Sequence, residues 1–167
     1  MKITKIIIAV AMLLAVQSAN IFAQQPPTAL GKCISGNCSN GFGKFIYDDG
    51  DIYEGDFVNG KRKGQGTYTS KSGEVQIGQF ANNLPNGKGK LKYPDGENYE
   101  GDFVNGKFEG QGTYTFKSGE VYVGQFANGT SNGKGKFIYP DGEYYEGDFV
   151  NGVKDGQGTY KYKDGSY

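Results

Sequence analysis

The sequence predicts an all-β protein, an elongated, twisted, single-layer antiparallel sheet of tandem 23-residue β-hairpin repeats. Three observations carry that expectation. The chain matches itself at a shift of 23 residues without insertion or deletion, giving full units at 53–75, 76–98, 99–121, 122–144 and 145–167 and a half unit at 39–52. A fixed period of this size marks a stacked array of small supersecondary units. Within a unit the residues alternate: Tyr99, Gly101 and Phe103 share one parity and Glu100, Asp102 and Val104 the other, the signature of a strand with an aromatic and a charged face. Turn signals also recur. Asn105-Gly106 divides the unit, and Ser118-Gly119 closes it, with Asp49-Gly50, Ser72-Gly73, Asp95-Gly96, Asp141-Gly142 and Asp164-Gly165 in equivalent places.

Taken in order, residues 1–23 read as a signal peptide. Lys2 and Lys5 precede an apolar run from Ile6 to Val16, and small residues follow at Ser18-Ala19 and Ala23, where cleavage is expected. The apolar core is short against the roughly 20 residues a spanning helix needs. The expected destination is therefore outside the cytoplasm: periplasmic, cell-surface or secreted. Residues 24–38 read as a linker, with Pro26-Pro27, leading to a cysteine-containing N-terminal cap. In an exported chain Cys33 and Cys38 are expected to form a local disulfide that staples the end of the array. A metal site would need further Cys or His ligands, and the chain has no histidine.

From residue 39 to 167 the array carries a second, longer period. Residues 53–98 and 99–144 agree at 35 of 46 aligned positions, so units come in two alternating kinds. One kind has Tyr-Glu-Gly-Asp-Phe and Gly-Gln-Gly-Thr-Tyr. The other has an uncharged Gly-Gln-Phe strand and a lysine pair, so charge alternates along the outer face. Gly101 and Gly112 fall on the face of Tyr99, Phe103 and Tyr114, each leaving a flat spot on which a ring can lie. An aromatic side chain buries roughly 150–250 Å², enough for a ladder of rings to hold together a sheet with no second layer.

Charge excludes some partners. The 18 basic and 18 acidic residues balance, and removing Lys2 and Lys5 with the signal leaves 16 − 18 = −2. That gives no basic excess to hold nucleic acid. The groups Lys61-Arg62-Lys63 and Lys88, Lys90 and Lys92 read as solvated charge on loops and the outer face. Catalysis is not expected. There is no histidine for a triad or imidazole base, and the carboxylate pairs Glu54/Asp56, Glu100/Asp102 and Glu146/Asp148 recur on a solvated face. A glycosidase-like site needs one restricted pocket that drives two pKa values apart. No catalytic residue, metal site or cofactor is predicted; the acidic run from Asp48 to Asp56 lacks the spacing of an EF-hand.

The pattern Tyr-x-Gly-x-Phe, Asn-Gly-Lys, Gly-x-Gly-Thr-Tyr and an Asp/Ser-Gly turn resembles the MORN repeat (membrane occupation and recognition nexus). The resemblance covers Ser39 to Tyr167 and implies an elongated sheet used for protein or membrane contacts, with no chemistry of its own. The departures are the absence of Trp, the use of Phe57, Phe80, Phe103, Phe126 and Phe149, and Gln76 in place of an opening tyrosine. The expected function is an exported scaffold for protein–protein interaction or self-association. Its candidate contact residues are Tyr53, Phe57, Tyr99, Phe103, Tyr122, Phe126, Tyr145 and Phe149, lining an aromatic groove. The open strand edge at the C-terminal end is the second candidate, through which two copies would pair as a homodimer. The alternative is a module for a membrane or cell-envelope surface, recognising phospholipid or glycan.

Overall fold

Alternating sequence and paired turn signals give twelve strands and no helix among the described residues. A computed structural model describes residues 30–167; the expected signal peptide and most of the linker lie outside them. The strands are β1 (Gly31–Gly36), β2 (Asn40–Tyr47), β3 (Ile52–Val58), β4 (Lys61–Thr69), β5 (Val75–Ala81), β6 (Leu84–Lys92), β7 (Asn98–Val104), β8 (Lys107–Thr115), β9 (Val121–Ala127), β10 (Thr130–Ile138), β11 (Tyr144–Val150) and β12 (Val153–Lys161). They form one antiparallel sheet in sequential order, β1 at one side and β12 at the other, so each strand pairs with its neighbours in sequence. Twelve strands at about 4.8 Å make an array about 50 Å long.

Each repeat is a hairpin. Its inner turn is a two-residue loop with both residues left-handed, as at Asn105 (φ 49°) and Gly106 (φ 80°). Two-residue turns of that hand match the twist of the strands they join. In the unit that begins at Gln76 the turn is Asn82-Asn83, and both asparagines take positive φ (50° and 73°), a conformation asparagine tolerates better than most residues.

Register explains the glycines in the strands. Gly101 pairs with Gly112, Gly112 with Gly124, and Gly124 with Gly135. The pairing continues from Gly36↔Gly43 at one end to Gly147↔Gly158 at the other, one glycine from every strand. A bulge keeps this ladder in line. In β3–β4 Gly55 faces Gly66 while Phe57 faces Arg62, so two steps on one strand oppose four on its partner. The same shift recurs in every unit's hairpin and is absent between units, as in β4–β5 and β8–β9. Bulges bend a strand and strengthen its local twist.

The segment 31–36, expected to be linker and cap, is itself a strand. β1 pairs with β2 through Gly31↔Tyr47 and Gly36↔Gly43, with an irregularity at Cys33/Ser35. The Cys33–Cys38 disulfide closes the connection between these two strands.

Candidate functional site

The two faces of the sheet are chemically unlike. On the aromatic face the rings cover the glycine ladder. The Tyr99 hydroxyl donates to the Asp102 carbonyl at 2.9 Å, and its ring lies over Gly101 and Gly112. Tyr53, Tyr122 and Tyr145 repeat this arrangement with the carbonyls of Asp56, Gln125 and Asp148. Edge-to-face contacts link each tyrosine to a phenylalanine of its own strand and, for Tyr53, Tyr99 and Tyr122, to one of the next unit. Tyr122 meets Phe126 at 5.1 Å and Phe149 at 4.9 Å. Such geometry suits the ring quadrupole.

The eight candidate groove residues therefore do not line an open channel. Tyr53, Phe57, Tyr99, Phe103, Tyr122, Phe126 and Phe149 are buried and Tyr145 is half-buried, all in contacts within the chain. The bulged strands and glycine flat spots let the rings pack on backbone, and that packing takes up the surface they were expected to offer.

Arg62 is a further correction. Expected among solvated loop charges, it is 2% exposed. Parity is the reason: it faces Phe57 across the hairpin and points to the aromatic side. Its guanidinium carbon stands 4.7 Å from the Tyr68 ring centroid and within 6 Å of Tyr47, Tyr53 and Phe80. Nη2 donates to the Asn83 carbonyl, while Nε and Nη1 have no hydrogen-bond partner.

The two kinds of unit differ for a physical reason. Where the second strand carries a tyrosine, its hydroxyl donates to a carboxylate 17 residues earlier: Tyr68 to Asp51, Tyr114 to Glu97 and Tyr160 to Glu143. Where that position is Leu91 or Phe137, no hydroxyl needs an acceptor. The corresponding acids, Glu74 and Glu120, instead accept from Ser70 and Ser72, and from Ser118. Burial pushes the phenols of Tyr47, Tyr53, Tyr68, Tyr99, Tyr114 and Tyr160 up, and that of Tyr122 up to about 12.

The opposite face is polar and carries five ion pairs. Lys44 bonds Glu54, Lys90 bonds Glu100, and Lys136 bonds Glu146. Lys88 bonds Asp102, and Lys134 bonds Asp148. Each lysine pair thus meets the acidic strand of the next unit, and the lysines hold Glu100 and Asp148 below the usual carboxylate range. Between the charged patches lie neutral ones, Gln65, Thr67 and Ile77, then Gln111, Thr113 and Val123. Three shallow depressions of about 510, 590 and 830 Å³ follow one another along this face, floored by ladder glycines. The first two share Gln65 and Ile77, the last two Gln111 and Val123, so they lie in a row from β2 to β12 with those side chains between them, a segmented trough.

Comparison with known proteins agrees with this geometry. The chain matches the MORN repeat at residues 39–52, 53–75, 77–97, 99–121, 122–144 and 145–167. The chain belongs to the MORN repeat family. The hairpin, inner turn and glycine-floored rings described above are thus the MORN unit as this sequence builds it. No curated protein matches. Among solved structures, the TCP domain of SAS-4 (dCPAP) of Drosophila melanogaster, in complex with a proline-rich motif of Ana2 (dSTIL), is similar in fold. It has a TM-score of 0.50 and 15% identity over 75% of this chain and 68% of that one. The TCP10 domain of Danio rerio CPAP, in complex with a peptide of STIL, matches with a TM-score of 0.39 and 18% identity, over 83% of this chain and 66% of that one. Among the described residues no group of three or more His, Cys, Asp or Glu side chains stands close enough to hold a metal.

Proposed function

We propose that this MORN array is a non-enzymatic scaffold, acting outside the cytoplasm, that holds an extended polypeptide along its polar, glycine-floored face. The observation that carries the reading is the row of adjoining depressions that makes up the trough. With the aromatic face filled by its own rings, the trough is the long surface whose floor is bare backbone. The ladder positions turn their Cβ side to the rings, so on this face they present backbone alone, which a bound main chain can approach closely. Five lysines of this face are already paired with acids of the facing strand, so a neutral or mixed segment takes no partner from them on docking. The fold offers precedent, since the SAS-4 TCP domain holds a proline-rich motif. The Cys33–Cys38 pair supports an oxidising location.

An extended segment advances about 3.3 Å per residue, so the trough accommodates about 15 residues. Its neutral patches recur every four strands, about 19 Å, or one contact every six residues or so. The test is selection of extended and proline-rich peptides from a displayed library, followed by affinity measurement on Val123→Arg and Gln111→Arg. Both side chains are exposed, so folding is expected to survive. Loss of at least about tenfold in affinity, 1.4 kcal/mol, at unchanged Tm supports the trough; unchanged affinity places the peptide elsewhere.

A further inference from the structure

Five positions at the 23-residue period, Arg62, Pro85, Phe108, Ser131 and Lys154, point into the aromatic face. They vary, and around Pro85 three of the neighbouring ring positions vary too, to Ser70, Gln76 and Leu91. At two of them the occupant is a cation. Arg62 lies among four rings, as described above. Lys154 Nζ stands 4.9 Å from the ring centroids of Tyr139 and Tyr145 and 5.4 Å from those of Phe137 and Tyr160, and donates to the Tyr139 hydroxyl at 2.6 Å. At a third, Phe108 supplies a ring, stacked on Tyr99 at 3.8 Å.

Ser131 is too short to reach the rings of its own unit in this way. A small apolar niche opens beside it, about 20 Å³, walled by Tyr114, Phe116, Tyr122 and Phe126, with Gly129 and Thr130 at its side. Tyr114, Tyr122 and Phe126 are buried while Phe116 and Thr130 are half-buried, so the mouth lies between the last two. Tyr122 and Phe116 hold the repeat positions that Tyr53 and Tyr47 hold around Arg62, and Tyr145 and Tyr139 around Lys154.

We propose that the niche at Ser131 receives the ammonium tip of a lysine side chain from a partner polypeptide. The chain's own Lys154 shows which chemistry this ring arrangement takes: Phe137, Tyr139 and Tyr145 around it correspond to Tyr114, Phe116 and Tyr122 of the niche, with Phe116 lacking the hydroxyl that accepts from Lys154. The cation–π attraction strengthens as the cation is desolvated. An acid also stands at the matching place. Asp51 and Glu143 accept from the ring hydroxyls beside Arg62 and Lys154; Glu120 holds the same loop position in the Ser131 unit, outside the niche walls, where it accepts from Ser118. The inference rests on the scaffold reading only for the source of the lysine; the niche itself stands on the rings.

The test uses n-butylammonium as the side-chain mimic and n-pentane-1-ol as a neutral control of similar size, with aromatic NMR shifts of Phe116, Tyr122 and Phe126 as readout. Saturable shifts with the ammonium, at least about fivefold tighter than with the alcohol, are expected. Ser131→Lys should fill the niche from within, as Lys154 does, and abolish the response; Phe116→Leu provides a second route should that variant not fold, and should weaken it. Equal response to ammonium and alcohol, no saturable response, or a response retained in Ser131→Lys overturns the proposal. If butylammonium binds but no lysine-bearing peptide does, the niche stands and the polypeptide reading of its source fails.

Discussion

The ring of Tyr99 lies so close over Gly112 that a β-carbon on that glycine would stand 2.5 Å from ring carbon Cε2. Tyr99 cannot yield, because Phe108 stacks against it at 3.8 Å and Phe103 and Phe126 hold its edges. Gly112→Ala should therefore destabilise the array by about 1–3 kcal/mol, the range for overpacking a filled core. Urea unfolding checks this; a loss within a few tenths of a kcal/mol would show that the ring and glycine are not tightly engaged.

Gln76 occupies the place that tyrosine takes in the other full units. It is fully buried, and neither its Nε2 nor its Oε1 has a hydrogen-bond partner. Leaving a buried polar group unsatisfied costs about 1–3 kcal/mol. Gln76→Tyr should remove both orphan atoms and lay a ring over Gly78 and Gly89, raising stability by about 1–3 kcal/mol. A rise in Tm with an unchanged circular dichroism spectrum is the expected result.

The buried phenols set the alkaline limit. A tyrosine in the unfolded chain ionises near pH 10, whereas folded Tyr122 holds its proton until about 12. The raised folded value means its contribution is fully present below pH 10, declines as the unfolded state ionises, and is gone above about 12. Tyr47, Tyr53, Tyr68, Tyr99, Tyr114 and Tyr160 shift in the same direction. Tm should be insensitive to these seven groups below about pH 10 and fall steeply above it, with their phenolate signals, resolved by NMR from those of exposed tyrosines such as Tyr162 and Tyr167, appearing together with unfolding. Phenolate on any of the seven in the folded state near pH 10 would contradict the packing.

The disulfide acts locally. Cys33 and Cys38 are five residues apart, and closing so short a loop contributes about 2 kcal/mol at most in the chain-entropy account. Because a repeat array is stabilised by nearest-neighbour contacts, reduction should speed hydrogen exchange in β1 and β2 and leave β5 to β10 unchanged. Uniform loss of protection would show a single cooperative unit.

Much of this was readable in the residues. Period, alternation and Asn-Gly turns specify hairpins, and the matching repeat bounds follow from them. Three things were not. The segment Gly31–Gly36 lacks the aromatic alternation that marks the other strands, and only its pairing with β2 makes it one. Arg62 sits between two lysines, so local composition reads as solvent while parity places it among rings. The burial of Tyr99 and its counterparts depends on a two-residue bulge that aligns glycines from successive strands, and sequence shows the glycines but not their register. The lysine and acid pairs were visible singly; inter-unit pairing sets them opposite one another.

The most direct test of the scaffold is the footprint of a selected peptide, mapped by cross-saturation NMR on residues 24–167. The account predicts saturation along Gln65, Ile77, Gln111, Val123 and Gln157, in a line across the strands. Saturation confined to β12, with the trough untouched, would contradict it and make the sheet edge the contact surface.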